Sequence, residues 1–310
     1  MMPPASGRSP ASLAAQARAG LGARADPSTG RFAGVSSIAA LLFLLDRARA
    51  GDDEAARVAF AVIRRTPGDL PTSASAAAAE AAVHVEAADV RRDDGLQKAA
   101  RSAVDAALAA FGWIGDREEE SGAGTDAHGL MIATLARASV VLDAPGYREA
   151  ASHAGERALD RRVDAEWGTL LHLVGGDAPP AALGDYALLV LGLLELLAAT
   201  GEKGWLHEAV RLHGEQEERL WDVREGAYFE LPEGAGRVPK KDGSDASFLS
   251  GNGIAALNLI DLSRLTGERS YRDRAERLLA AFAPEMAREP LSHLTLLRAA
   301  ERIERGSSAA

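Results

Sequence analysis

The chain has 310 residues, 47% of them hydrophobic and 26% charged, a balance that suits a globular protein with a large core. Its formal net charge is −10, and no basic cluster exceeds short pairs such as Arg64-Arg65, so no nucleic-acid partner is expected. Cysteine is absent, which removes disulfides, thiolate zinc sites and cysteine nucleophiles together.

Aromatic residues make up only 5% while Ala and Arg abound, which favours tightly packed helices over β-sandwiches. The opening MMPPASGRSP lacks the apolar core of a signal peptide and reads as a disordered N-terminus over 1–10. A helical domain is expected over 11–305, followed by a disordered tail over 306–310. The most apolar stretches, Ile38–Leu45 and Tyr186–Ala198, are shorter than the roughly 20 residues of a membrane span. No membrane association is expected, and the expected location is cytoplasmic.

In chain order, the periodicity predicts about twelve helices, near 11–24, 35–50, 52–65, 73–91, 95–111, 127–142, 146–162, 184–199, 203–221, 251–265, 268–283 and 291–304. A turn phrase recurs between them: Arg49-Ala50-Gly51-Asp52-Asp53-Glu54, Arg92-Asp93-Asp94-Gly95-Leu96, Asp143-Ala144-Pro145-Gly146-Tyr147, Thr200-Gly201-Glu202-Lys203 and Thr266-Gly267-Glu268-Arg269. Gly or Asp relieves the left-handed position after one helix, and the acidic residue suits the start of the next.

The helices flanking each turn differ in kind. Before it, Tyr186–Ala198 is apolar almost all round, with Glu195 its one charge, and should be buried. After it, Tyr271, Ala275, Leu278, Leu279 and Phe282 form a single stripe on an otherwise charged helix. Buried helices alternating with half-buried ones predict two concentric rings, an all-α (α/α)6 barrel (six-hairpin toroid). An open α-solenoid is the rival architecture. The long connections, among them Thr66–Thr72, Gly112–Asp126, Asp164–Leu183, Asp222–Ser250 and Pro284–Pro290, all lead into buried helices, so function should collect there.

The motifs Gly184-Asp185-Tyr186-Ala187, Leu220-Trp221-Asp222, Gly226-Ala227-Tyr228-Phe229, Ser250-Gly251-Asn252 and Arg264-Leu265-Thr266-Gly267, with Gly129-Leu130-Met131-Ile132 upstream, resemble the YyaL-like, spermatogenesis-associated thioredoxin-domain-containing family. The resemblance spans roughly 125–285 and implies that family's (α/α)6 barrel, itself similar to N-acylglucosamine 2-epimerases and six-hairpin glycosidases. A carbohydrate-related role is implied through that wider similarity. The family's thioredoxin-like domain has no counterpart here, and Ala127-His128 stands where the family carries Trp-Asn.

On the residues themselves, Asp185 opens a buried helix after a long loop, where a carboxylate can act as acid or base or grip a sugar hydroxyl. The plain alternative is a helix cap. Asp242 and Asp245 precede Ser250 and Asn252 in the longest loop and offer a second carboxylate, against ordinary loop chemistry. His128 and His293 fall at predicted helix starts and His172 in a long loop, as epimerisation by titrating histidines would require, although surface or capping roles are the common ones. Asp185, Asp242, His128 and His293 are therefore the catalytic candidates, and Tyr186, Ser250, Asn252, Asp245 and His172 the substrate-binding ones. Glu118-Glu119-Glu120, beside Trp113, reads as a solvated charge run.

No P-loop, Rossmann fingerprint or His-Glu-x-x-His motif occurs, so neither cofactor nor metal is expected. Two functions stand side by side: a carbohydrate-binding or carbohydrate-modifying barrel taking a small sugar, epimerase- or glycosidase-like, or a non-catalytic interaction module working with a separate thioredoxin-like protein.

Overall fold

The computed structural model describes residues 9–26, 29, 31–63, 73–112, 122–164, 168–174, 179–232, 239–246 and 248–308. The N-terminal residues 1–8, the 66–72 connection and the Trp113 and Glu118–Glu120 segment, for which expectations are given above, lie outside them. The chain divides into two compact units, one of residues 1–68, 221–229 and 240–310, the other of residues 69–220 and 230–239.

The second unit is three helical hairpins in sequence: α4 (Ala74–Val90) with α5 (Asp94–Ala110), α6 (Thr125–Val141) with α7 (Pro145–Arg161), and α8 (Leu183–Thr200) with α9 (Lys203–Leu220). Local chemistry sets their ends. Asp93 Oδ1 accepts the Leu96 amide 2.9 Å away to start α5, and Gly201, at φ +74°, closes α8 in the left-handed conformation. α6 and α8 are buried on nearly all sides, whereas α5, α7 and α9 bury a single stripe, as the alternation in the sequence requires.

By composition alone α8 is long and apolar enough to cross a bilayer, yet 61% of it is buried within the fold, the mark of a core helix. Glu195, its one charge beyond the first turn, meets Arg137 of α6, whose guanidinium also reaches Asp89 of α4 at 2.9 Å. The α6–α8 crossing is unusually close. A methyl group on Gly129 would run into the Leu188 carbonyl, and one on Gly192 would lie 2.8 Å from the Gly129 oxygen. Glycine at both positions is what lets the two backbones approach.

The first unit holds α1 (Pro10–Arg24), the two-residue strands β1 (Ala25–Asp26) and β2 (Arg31–Phe32), α2 (Ser37–Arg49) and α3 (Asp53–Ile63). It then takes up the chain again at α10 (Gly251–Thr266), α11 (Arg269–Ala281), α12 (Ala283–Arg288) and α13 (Leu294–Ser308). β1 and β2 pair antiparallel, Ala25 opposite Phe32. α2 is buried from Ala39 to Asp46, and α13 packs against both α1 and α10. Arg47 of α2 bonds Glu301 of α13 at 2.7 Å, and Arg305 reaches Asp46 at 3.3 Å.

Two expectations change here. The 284–290 connection is not plain loop: it carries α12 and a 3-10 turn over Pro290–Ser292, because Pro284 and Pro290 each fall in a first turn, where a missing N–H is harmless. The last helix runs through Ser308, past residue 306 where a tail was expected.

Candidate acid–base site

Three segments of the second unit meet at the site: the N-terminus of α6, the N-terminus of α8, and the irregular stretch 168–174 between α7 and α8. Asp185 is the third residue of α8 and 1% exposed. Its Oδ2 accepts the Ala182 amide at 2.8 Å, so the capping role is real. It is not the only role. Oδ1 accepts the Asp126 amide at 2.9 Å, and His172 Nδ1 donates to the same carboxylate at 2.9 and 3.0 Å.

That bond fixes His172 with its proton on Nδ1 and leaves Nε2 as the working nitrogen. The Asp185 hydrogen bond raises the His172 pKa above its ordinary 6.5, and Asp126 adds in the same direction. The His172 side chain is 36% exposed, so one end of the dyad is buried and the other is open to solvent. Asp126, in the first turn of α6, lies within the same group: one ligating atom each from Asp126, His172 and Asp185 falls within 4.8 Å of the others. Burial, and then the neighbouring Asp185 charge, raise its carboxyl pKa above 3.8.

Among the described residues this is the group able to hold a metal ion, although His172 Nδ1 and the Asp185 oxygens are already bonded to one another. The donor set is equally that of a hydrogen-bonded His–Asp dyad with a second carboxyl beside it. Such a set can accept a proton at Asp126 and deliver one from His172 Nε2.

His128, singled out as a catalytic histidine, is held on both sides. Nδ1 donates to the Gly124 carbonyl at 3.0 Å, and Nε2 accepts from Arg162 Nη2 at 3.0 Å. Burial, and then the guanidinium charge, push its pKa down to about 4, so the ring stays neutral at ordinary pH. Tyr186 is 2% exposed and donates its hydroxyl to Glu215 Oε1 at 2.5 Å; burial and then Glu215 raise its pKa.

The other candidates gather in the first unit, where their polar atoms serve the backbone. Asn252, fully buried, accepts the Tyr228 amide and donates to the carbonyls of Tyr228 and Asp242, all at 3.0 Å. Ser250 caps α10 through the Gly253 amide at 3.1 Å. Asp245, 2% exposed, accepts from the Ser250 and Thr295 amides and the Thr295 hydroxyl, while burial raises its pKa.

Burial works against ionisation of Asp242, but Lys240 at 2.5 Å and Ser244 hold its carboxyl below the ordinary range. His293 is 7% exposed and donates Nδ1–H to the Glu289 carbonyl at 2.9 Å. Ser250, Asn252 and Asp245 therefore fasten the backbone at Tyr228, Asp242 and Ser250 to α10 and α13.

Sequence reasoning missed Asp126. The signal was an acidic residue in the first turn of a buried helix after a glycine-rich entry, the same placement as Asp185, but the residue reads equally well as the end of a loop.

No family model matches the chain. Over 120 residues it is 39% identical to human spermatogenesis-associated protein 20, a match covering 38% of this chain and 15% of that protein. The solved GH76 α-mannanase of Bacteroides thetaiotaomicron superposes with a TM-score of 0.71 at 10% identity, covering 96% of this chain and 98% of that one. A D-mannose isomerase gives 0.67 at 12% identity, with 88% and 85% covered. The unsaturated glucuronyl hydrolase of Bacillus sp. GL1 gives 0.68 at 17% identity, with 95% and 97% covered. The fold is thus an all-α (α/α)6 barrel, and part of the chain is shared with the spermatogenesis-associated proteins, as the sequence motifs implied.

Proposed function

We propose that the protein is a carbohydrate-modifying (α/α)6 barrel whose chemistry is proton transfer at Asp126 and His172. The observation that carries this reading is the His172–Asp185 dyad with a second carboxyl, Asp126, within 4.8 Å of it. The solved proteins of like fold named above include enzymes that act on sugars, two glycoside-cleaving and one isomerising.

The geometry favours isomerisation or epimerisation over hydrolysis. Glycosidases use two carboxyl groups about 5–5.5 Å apart for retention or about 6.5–9.5 Å for inversion, each facing the sugar. Asp185 faces no sugar: it is 1% exposed and already accepts three donors. The pKa directions assign the remaining pair. Asp126 is a carboxylate made more basic by burial, and His172 an imidazolium stabilised by Asp185.

On an open-chain sugar, Asp126 takes the proton from the carbon next to the carbonyl. The C–H electron pair becomes the carbon–carbon double bond, and the carbonyl oxygen takes the proton of His172 Nε2. Returning the proton to the opposite face of the same carbon, while the new hydroxyl gives its proton back to His172 Nε2 and the carbonyl re-forms, epimerises the sugar. Placing it on the former carbonyl carbon, while the neighbouring hydroxyl gives its proton to His172 Nε2 and becomes the new carbonyl, isomerises it.

The test is a panel of reducing sugars in deuterated water followed by proton NMR. Loss of the signal of the hydrogen next to the carbonyl for at least one sugar, abolished by Asp126→Asn, is the expected result. No exchange with any sugar, or release of a glycoside leaving group without exchange, overturns the assignment.

A further inference from the structure

His172 sits on a segment with no helix or strand of its own, so something outside the segment must hold it. The backbone of 170–172 is gripped at nearly every polar atom. The Leu170 amide donates to Glu215 Oε1 at 3.0 Å, and the Leu171 amide donates to the Arg162 carbonyl at 2.8 Å. The Leu171 carbonyl accepts from the Thr125 hydroxyl at 2.6 Å. The His172 carbonyl accepts from the Thr125 amide at 2.9 Å and from Arg162 Nη1 at 3.3 Å.

Arg162 Nη1 also donates to the Thr125 hydroxyl at 3.0 Å, which joins the two grips. Its other terminal nitrogen donates to the Ala123 carbonyl at 3.2 Å and to His128 Nε2 at 3.0 Å. Arg162 is 8% exposed and Thr125 fully buried, so these bonds do not compete with water. His128 is an acceptor in this arrangement because its Nδ1 proton is committed to Gly124. It therefore gives the guanidinium a neutral anchor instead of a repelling cation.

We propose that Arg162 and Thr125, seated on His128, are positioning residues that hold the His172 imidazole against Asp185. The inference rests on the acid–base reading above, but its test needs no turnover. A dyad works only when its members are held within about half an ångström of the productive geometry. The fork of Arg162 and the hydroxyl of Thr125 supply that for a ring carried on irregular backbone.

The groups facing His172 are Asp185, Asp126 and Arg162, and they let positioning be separated from plain charge. The Arg162 charge by itself lowers the His172 pKa. If charge were its whole contribution, Arg162→Gln would raise the His172 titration midpoint, and Thr125→Val would leave it alone. If the two residues position the ring, both variants move the midpoint down toward 6.5, in the direction of Asp185→Asn, which removes the partner outright.

The experiment is a long-range proton–nitrogen NMR correlation of the whole protein across pH, reading the His172 tautomer and midpoint, with circular dichroism to confirm the fold. A downward shift and a loss of the fixed Nδ1–H tautomer in Thr125→Val, which removes one hydroxyl without changing charge, is the expected result. An unchanged His172 midpoint and tautomer in folded Thr125→Val, or a rise in Arg162→Gln, overturns the proposal. Should Arg162→Gln fail to fold, Thr125→Val decides alone. A wild-type protein inactive on every sugar removes the proposed chemistry but leaves this readout intact.

Discussion

A carboxylate at the first turn of a helix has two things it can do at once, and Asp185 does both. It caps α8 through Ala182 and aligns His172. The residues that touch substrate in the proposed chemistry are Asp126 and His172, and their shifts set a pH profile. Activity requires Asp126 ionised and His172 protonated, and both groups titrate above their ordinary values. The exchange rate is expected to rise as pH passes through a midpoint above 3.8 and fall through one above 6.5, a bell displaced to higher pH than the free side chains would give. Asp126→Asn should remove the rising limb and lower the rate about 10²- to 10⁴-fold. Asp185→Asn should move the falling limb to lower pH, since it withdraws the stabilisation of the imidazolium. Asn252 gives the contrasting case. Its three bonds at 3.0 Å all go to backbone, so Asn252→Ala strands buried polar groups and should cost about 2–4 kcal/mol in urea unfolding.

Between helices, what decides stability is closeness. Gly129 and Gly192 lie where α6 and α8 touch backbone to backbone, and Gly129→Ala has no side chain to push aside, only the Leu188 peptide. It should lower stability by about 1–3 kcal/mol, measurable as a reduced midpoint in denaturant, and more if the crossing cannot widen. Gly146, exposed at the start of α7 with open space around it, should accept Ala at almost no cost. The helices themselves were legible because their apolar period and turn phrases are strong. The stop of α11 was legible too, read near 283 against Ala281, but α12 behind it was not, because six residues are too few to show a helical period. At the site, Asp185 and His172 were visible as residue types at suggestive places. Their pairing was not, because it depends on how 170–172 folds onto Thr125 and Arg162, and irregular backbone carries no period. Asp126 stayed hidden because, in the first turn of α6, it reads equally well as the end of the preceding loop.

At the scale of the whole chain, the first unit is assembled from the two ends of the sequence, with the second unit's residues between. α13 buries Leu294, Leu296 and Leu297 and packs against α1 and α2. A chain ending after Glu289 should therefore expose apolar faces of α1, α2 and α10, bind a hydrophobic dye and lose cooperative melting of that unit. Arg47 waits for Glu301, 254 residues downstream. At a ribosome adding about 5–20 residues per second, that interval lasts roughly 13 to 50 seconds. For all of it, the apolar turns of α2 leave the exit tunnel without the helix that will cover them. The nascent protein must therefore keep α1 and α2 soluble until α13 arrives, and a translational pause between them would lengthen that exposure directly.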